Sequence, residues 1–395
     1  MNRKFGAIFL IAGTCLGSGM LALPIVLSKI GLLYSLIFMV SMWAVMYVGA
    51  LITVELNLQA KKSMPLGLLG QHFSGPIAKN IGTLSLKILS YALLPAFLYG
   101  ATSIIHECLP SFGKQTILMA LGGLAYVILI CQTSKIDLFN RLLFFALLGG
   151  LLFLITLLLC KVEWHVLPLL PSVFPSSMTW GTLLPVVFTS FGFHGMIHTI
   201  TAYCQNDKTT LKKAFFWGSL IPALLYIVWT WGVLGAVYGN DASFYTQLSQ
   251  NKVEVGALVR ALATLTEKPF IKTLIWSGMI LKFMLSIIGV GISLRDALSP
   301  LFPEKSIYRQ KWLLGILTML PPVLIASIVP NAFITILGFA GMILSVIAIV
   351  LPIYLLQFIP SDKLHYKILT QPVIKYTILG VGLCVIGFEL FSLLH

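Results

Sequence analysis

Gly13-Thr14-Cys15-Leu16-Gly17-Ser18-Gly19 interrupts an otherwise apolar run about half-way from Phe5 to Ser28. Its glycines each weaken a helix by roughly 1 kcal/mol relative to alanine. A second interruption, Ser190-Phe191-Gly192-Phe193-His194-Gly195, sits about half-way along the run from Gly181 to Tyr203. What such breaks do depends on the solvent around them, and the rest of the sequence identifies that solvent.

Of the 395 residues, 58% are hydrophobic and 10% charged, with a mean hydropathy of +0.98. Soluble domains carry about 25% charged residues, so lipid must solvate much of this chain. Apolar runs near the roughly 20 residues that a spanning helix needs occupy Phe5–Ser28, Leu32–Leu56, Ile81–Ile105, Thr116–Cys131, Leu142–Cys160, Gly181–Tyr203 and Ala214–Tyr238. Beyond a longer polar segment come Thr273–Leu294, Trp312–Val329, Ala332–Phe358 and Val373–Leu394. The fourth run is short. Runs of this length exclude a β-barrel, so the backbone must be satisfied within helices. The predicted fold is an all-α membrane protein of about eleven transmembrane helices, a single domain over residues 1–395.

The formal net charge of +14 does not point to nucleic acid here, because Lys and Arg are retained in cytoplasmic loops. With the N-terminus inside, cytoplasmic segments hold 18 basic residues against 7 outside, which predicts N-inside and C-outside. The large outer segment, Gly239–Lys272, is expected to be a partly helical loop. Met1-Asn2-Arg3-Lys4 and the run behind it imitate a signal peptide, but that run is too long and ten more follow, so it is kept in the fold. Six cysteines show neither CxxC pairs nor Cys/His ligand spacing, so no disulfide framework, metal or cofactor is expected.

The two breaks fall in the first and sixth helices, which open successive sets of five helices with opposite topology. That layout predicts an inverted-repeat secondary transporter, with repeat one over about 5–160, repeat two over about 181–358 and an extra helix over about 373–394. In such folds half-helix N-termini at the midplane face a substrate carboxylate, and half-helix carbonyls face cations. Irregular backbone at that depth is tolerated only where it lines a cavity or packs inside protein. Close helix packing through Gly13-xxx-Gly17 is the competing reading, and two interruptions at the same rank in opposed halves favour a binding site.

Gly13-Thr14-Cys15-Leu16-Gly17-Ser18-Gly19-Met20-Leu21-Ala22-Leu23-Pro24 resembles the helix-one motif of the hydroxy/aromatic amino acid permeases. Leu184-Pro185-Val186-Val187-Phe188-Thr189-Ser190-Phe191-Gly192-Phe193-His194-Gly195 resembles their helix-six motif, with the tyrosine-specific branch most similar. The likeness continues at Ser286-Ile287-Ile288-Gly289-Val290, Pro330-Asn331-Ala332-Phe333 and Leu351-Pro352. The resemblance implies a five-plus-five inverted repeat plus one helix, in a bacterial inner membrane, and proton-coupled uptake of an aromatic amino acid. It assigns the substrate carboxylate to the backbone at Gly17, Ser18 and Gly19, and the α-ammonium to carbonyls around Phe191 and Gly192.

Gly13, Thr14 and Cys15 complete the helix-one candidates. Ser18 also suits a helix cap. Phe191 and Phe193 suit an aromatic clamp or ordinary core packing. His194 at mid-membrane is a functional candidate by its cost alone; it suits a substrate hydrogen bond, a proton carrier or a satisfied structural histidine. Lys282 lies about ten residues into helix eight with Ser286 one turn on. A buried amine there could replace a coupling cation, while a lysine in a wet vestibule is the alternative. Glu55 and Asp296 near helix ends suit structural or gating pairs, and Tyr91 and Tyr99 are possible cavity residues. No set of paired carboxylates, metal ligands or nucleophile with base marks a membrane enzyme, and no GxxxxGK[ST] is present, so an ion gradient is the expected energy source. The expected partners are a small-molecule substrate, protons and lipid.

Overall fold

The structure is a computed structural model of the chain. It describes residues 3–17, 19–130, 133–171, 177–250, 253–266, 268–302, 310–329 and 332–394, with the side chains of 133–146, 177–178 and 332 outside the description. The helices are α1 (Arg3–Cys15), α2 (Gly19–Leu27), α3 (Gly31–Gln59), α4 (Leu66–Phe73), α5 (Pro76–Cys108), α6 (Lys114–Ile130), α7 (Thr133–Lys161), α8 (Ser177–Ser190) and α9 (Ile197–Tyr203). They continue as α10 (Lys208–Asn240), α11 (Ala242–Ser249), α12 (Val255–Thr264), α13 (Pro269–Leu298), α14 (Lys311–Ile328), α15 (Ala332–Ser345), α16 (Leu351–Leu356) and α17 (Pro372–Leu394).

Among the described residues each apolar run of the sequence is mostly helix, as long apolar segments in hydrocarbon must be, with the first and sixth runs interrupted after Cys15 and after Ser190. Among the described residues, eight helices are long and apolar enough to cross a membrane, or nine when α1 and α2 count as one span bent by 53°. The 17-residue α6 and the described apolar part of α7, Leu147–Lys161, are shorter. This is an all-helical, multi-pass membrane protein. The outer segment 239–272 contains α11 and α12, in line with a partly helical loop. Helix α4 was not anticipated; it is too short to register as a span. It lies so tightly on α5 that a Cβ at Gly70 would stand 2.6 Å from the Ala78 backbone.

The broken helices occupy the centre. All nine residues of α2 are buried, and 72% of the apolar window in Thr179–Tyr203 is buried, against 22% for α17. Helix α8 is pinned to α15, where Thr189 Oγ1 donates to the Leu337 carbonyl at 2.9 Å. A Cβ at Gly341 would come 2.3 Å from the Pro185 carbonyl oxygen, so this crossing requires glycine. Between α15 and α16 a π-helical turn covers Val346–Val350, and its Ala348 carbonyl approaches α3 at Gly49. Such single turns absorb one extra residue inside an otherwise regular helix.

Two carboxylates tie loops to the bundle. Glu55 on α3 is fully buried and accepts from the backbone amides of His365 at 3.0 Å and Tyr366 at 3.2 Å. Gln59 Nε2 donates to it at 2.7 Å, and His365 Nδ1 lies 2.9 Å away. Asp296, the other helix-end candidate, pairs with its neighbour Arg295 at 2.9 Å. At the opposite end of the bundle Glu254, which precedes α12, takes the Lys114 ammonium at 2.8 Å, the Ser103 hydroxyl at 3.1 Å and the Tyr99 hydroxyl at 3.3 Å. Burial opposes the Glu254 charge, but the Lys114 ammonium and the two hydroxyls outweigh it and hold this carboxyl below its ordinary value. Its contribution is present above the ordinary carboxylate pKa and is lost as pH falls through the lowered one.

Replacing Glu55 strands buried donors, each costing about 1–3 kcal/mol. Glu55→Ala should lower the thermal midpoint of the detergent-purified protein well below that of Asp296→Ala, as followed by tryptophan fluorescence. Equal midpoints would remove the latch role of Glu55.

Candidate functional site

Helix α1 stops where its glycines begin. The Leu16 amide still donates to Ala12 at 3.1 Å, but the Gly17 amide turns to the Cys15 carbonyl at 2.6 Å, and helix resumes at Gly19. Tyr226 of α10 bridges the gap: its hydroxyl accepts from the Gly17 amide at 3.1 Å and donates to the Cys15 carbonyl at 2.6 Å. One turn on, Trp229 Nε1 donates to the Met20 carbonyl. Two side chains of an unbroken helix thus satisfy backbone groups that the break leaves open. Gly19 makes room for this brace, since a Cβ there would lie 2.7 Å from Tyr226 Cζ and 2.9 Å from Ser190 Cβ.

The second break follows α8. The Phe191 and Gly192 amides close short turns onto Phe188 and Thr189 at 3.2 and 3.0 Å, a 3₁₀ turn covers His194–Met196, and α9 resumes. Among the described residues no backbone amide donates to the Phe191 or Gly192 carbonyls. The two breaks touch, with Thr14 Oγ1 2.7 Å from Met196 Sδ.

Where they meet is a cavity of about 820 Å³. Gly13, Thr14, Cys15 and Gly17 line it from the first break, and Gly192, Phe193 and His194 from the second. Lys282 and Ser286 of α13 stand on its wall. Gly19 and Phe191 do not line it: Gly19 serves the close approach to Tyr226, and the buried Phe191 ring meets the Tyr226 ring edge-on at 5.7 Å. Ser18 lies outside the described residues. Tyr91 and Tyr99 are also away from the cavity, bonded to the Leu317 carbonyl and to Glu254. The α5 wall is instead Leu86, Leu89, Ser90, Leu93 and Phe97, a helical stripe that both tyrosines miss.

The electrostatics are one-sided. Lys282 is 8% exposed, its ammonium has no hydrogen-bond partner, and it lies 5.7 Å from the centroid of the Phe283 ring. His194 is buried beneath Phe193, ring centroids 4.8 Å apart, and neither nitrogen has a hydrogen-bond partner. Among the described lining residues there is no carboxylate, and no His/Cys/Asp/Glu cluster suited to a metal occurs among the described residues. A cavity with an ammonium, helix-terminal amides and open carbonyls has complementary groups for both ends of a zwitterion.

Tyr226 and Trp229 were not legible as site residues, because aromatics in an unbroken apolar helix look like any core aromatic. Tyr226→Phe keeps the ring and removes the bridge, leaving the Gly17 amide and the Cys15 carbonyl only their short turn to one another, at about 0.5–1.5 kcal/mol. The variant should show a lowered thermal midpoint together with impaired solute transport. A midpoint and uptake equal to wild type would show that the bridge is dispensable.

The sequence matches the profile of the tryptophan/tyrosine permease family over residues 1–389. It is 30% identical over 357 residues to tyrosine-specific transport system 1 of Haemophilus influenzae, covering 90% of this chain and 88% of that protein. The tryptophan-specific transport protein of Pseudomonas aeruginosa is 26% identical over 357 residues, with coverage of 88% and 84%. Glutamine transporter 2 of Aliivibrio fischeri is likewise 26% identical, over 359 residues, with coverage of 89% and 88%.

Proposed function

We infer that this chain, which belongs to the tryptophan/tyrosine permease family, is a secondary transporter that carries tyrosine into the cell by proton symport. It is a permease, not an enzyme. Support for an aromatic substrate comes from the family and from the relatives named for tyrosine and tryptophan. Tyrosine is preferred because its namesake relative is the more similar of the two, at 30% against 26% identity. The glutamine relative indicates that this scaffold also accepts a polar side chain, so selectivity has to reside in the lining of the cavity.

In this reading the molecule is a five-plus-five inverted repeat with α17 as the added helix, lying in a bacterial inner membrane with its N-terminus in the cytoplasm. The substrate carboxylate is received at the first break by the backbone amide of Gly17, where it exchanges with the Tyr226 hydroxyl. The α-ammonium is received at the second break, where Gly192 lines the cavity with an open carbonyl and Phe191 stands just behind it. Both sets work in low dielectric, where a charge held by fixed dipoles is stabilised far more than in water.

The observation that carries proton coupling is Lys282, a buried amine on the cavity wall with no partner and no lining carboxylate near it. A sodium site needs oxygen ligands and charge balance, and an ammonium at that place opposes a second cation. A lysine supplies its own movable charge: protonated when substrate binds, neutral for the return. A tyrosine zwitterion is neutral overall, so the proton is what couples the step to the membrane potential, at about 2.3 kcal/mol per 100 mV.

In liposomes an imposed proton gradient should drive tyrosine uptake and a sodium gradient should not, with tryptophan and phenylalanine competing better than serine. Lys282→Ala should lose accumulation against a gradient while retaining tyrosine exchange. Sodium-driven uptake, or full accumulation by Lys282→Ala, would contradict the coupling assignment. For orientation, a single cysteine placed at Lys268 should react with an impermeant thiol reagent added outside cells, and one placed at Lys62 should not; the reverse pattern would invert the topology.

A further inference from the structure

We propose that a second cavity, beside the first, receives the aromatic ring of the substrate. It has a volume of about 180 Å³ and lies between α7 and the first half of α13. The proposal rests on the reading of this protein as an aromatic amino acid transporter. The two cavities share Met20, Leu147, Leu151 and Lys282 as lining residues, so the smaller one adjoins the larger without an intervening layer. Met20 is the first residue after Gly19, where helix resumes. A substrate whose carboxylate lies at the break therefore has the mouth of the annex within the reach of its own side chain.

Size and lining suit a ring. An apolar cavity of about 150 Å³ is enough to take up benzene, and this one is slightly larger. Apart from Lys282 at the mouth and Ser277, its lining consists of aliphatic, aromatic, methionine and glycine residues. The Ser277 hydroxyl is already bonded to the Thr273 carbonyl at 2.8 Å, so the wall makes no polar demand that a ring would leave unmet. The Lys282 ammonium offers a cation to a π face, which would be wasted on a lipid acyl chain, the other occupant such a fissure could admit.

The space is kept open by two glycines, Gly150 on α7 and Gly278 on α13. At neither would an added Cβ meet any atom within 4 Å. At Gly341 or Gly70 a Cβ would collide with a neighbouring helix, so packing explains those glycines. Packing does not explain Gly150 and Gly278, which weaken their helices without permitting a contact. What they preserve is volume.

The same feature makes the test clean, because bulk can be added without moving backbone. Gly150 and Gly278 would each be changed to Ala, Leu and Phe, with Gly149→Phe as the control. Gly149 is exposed on α7, does not line the annex, and its Cβ would also meet open space. Purified variants, checked for folding by thermal denaturation, would be assayed for tyrosine uptake in liposomes. The KM for tyrosine should rise with added volume at both sites, by about tenfold or more for Phe, while Gly149→Phe keeps the wild-type KM. Wild-type KM in folded Gly150→Phe and Gly278→Phe would overturn the proposal and mark the space as a lipid-facing fissure. An equal loss in Gly149→Phe would overturn it too, since bulk on α7 alone would then be the cause. Wild-type protein that takes up no aromatic amino acid would instead sink the reading on which the annex rests.

Discussion

A helix that breaks inside hydrocarbon exposes amides and carbonyls that have no water to bond, at a cost of several kcal/mol for each group left unmet. In this protein the first break is closed by one hydroxyl. Tyr226 accepts from Gly17 and donates to Cys15, and Trp229 holds Met20 just beyond. The long, uninterrupted α10 acts as a splint for a helix that is not continuous. Gly19 follows from the same arrangement, because any side chain there would displace the Tyr226 ring. The ring in turn holds Phe191 edge-on, which keeps the second break turned so that Phe193 and His194, rather than Phe191, reach the cavity.

The polar groups of the cavity carry the opposite energetic sign. Lys282 and both nitrogens of His194 are buried without hydrogen bonds, which costs stability wherever it is not relieved. Such costs are supported by close packing elsewhere: the Gly341 crossing of α15 on α8, the α4 face on α5, and the Glu55 and Glu254 latches at the two ends. The distribution suits a protein whose centre awaits a charged ligand while its periphery holds the helices in register.

The fold was largely legible because lipid permits few solutions. An apolar run of about twenty residues has to be mostly helix, and among the described residues each run is, apart from the two breaks. The breaks were legible because glycine clusters have no other purpose in an apolar span than a break or a close approach, and here they provide both. Gly13, Thr14, Cys15, Gly17, Gly192, Phe193, His194, Lys282 and Ser286 all border one space. Three things were hidden. The Tyr226 brace joins residues about 210 positions apart, and no local pattern announces it. The opposite directions of Phe191 and Phe193 depend on the backbone of an unwound stretch, with Phe193 at φ −138° and ψ 4°, and helical or strand periodicity does not govern such a stretch. Tyr91 and Tyr99 looked like cavity residues by type, but the stripe from Leu86 to Phe97 determines which side of α5 faces inward.

The central claim is that the two helix breaks form one substrate site, and a structure solved with tyrosine bound tests it most directly. The account predicts the amino acid in the cavity between residues 13–17 and 192–194, its carboxylate on the Gly17 amide in place of the Tyr226 hydroxyl, and its ring directed past Met20. Tyrosine bound away from both breaks, or bound between them with its carboxylate facing the Phe191 and Gly192 carbonyls, would contradict it.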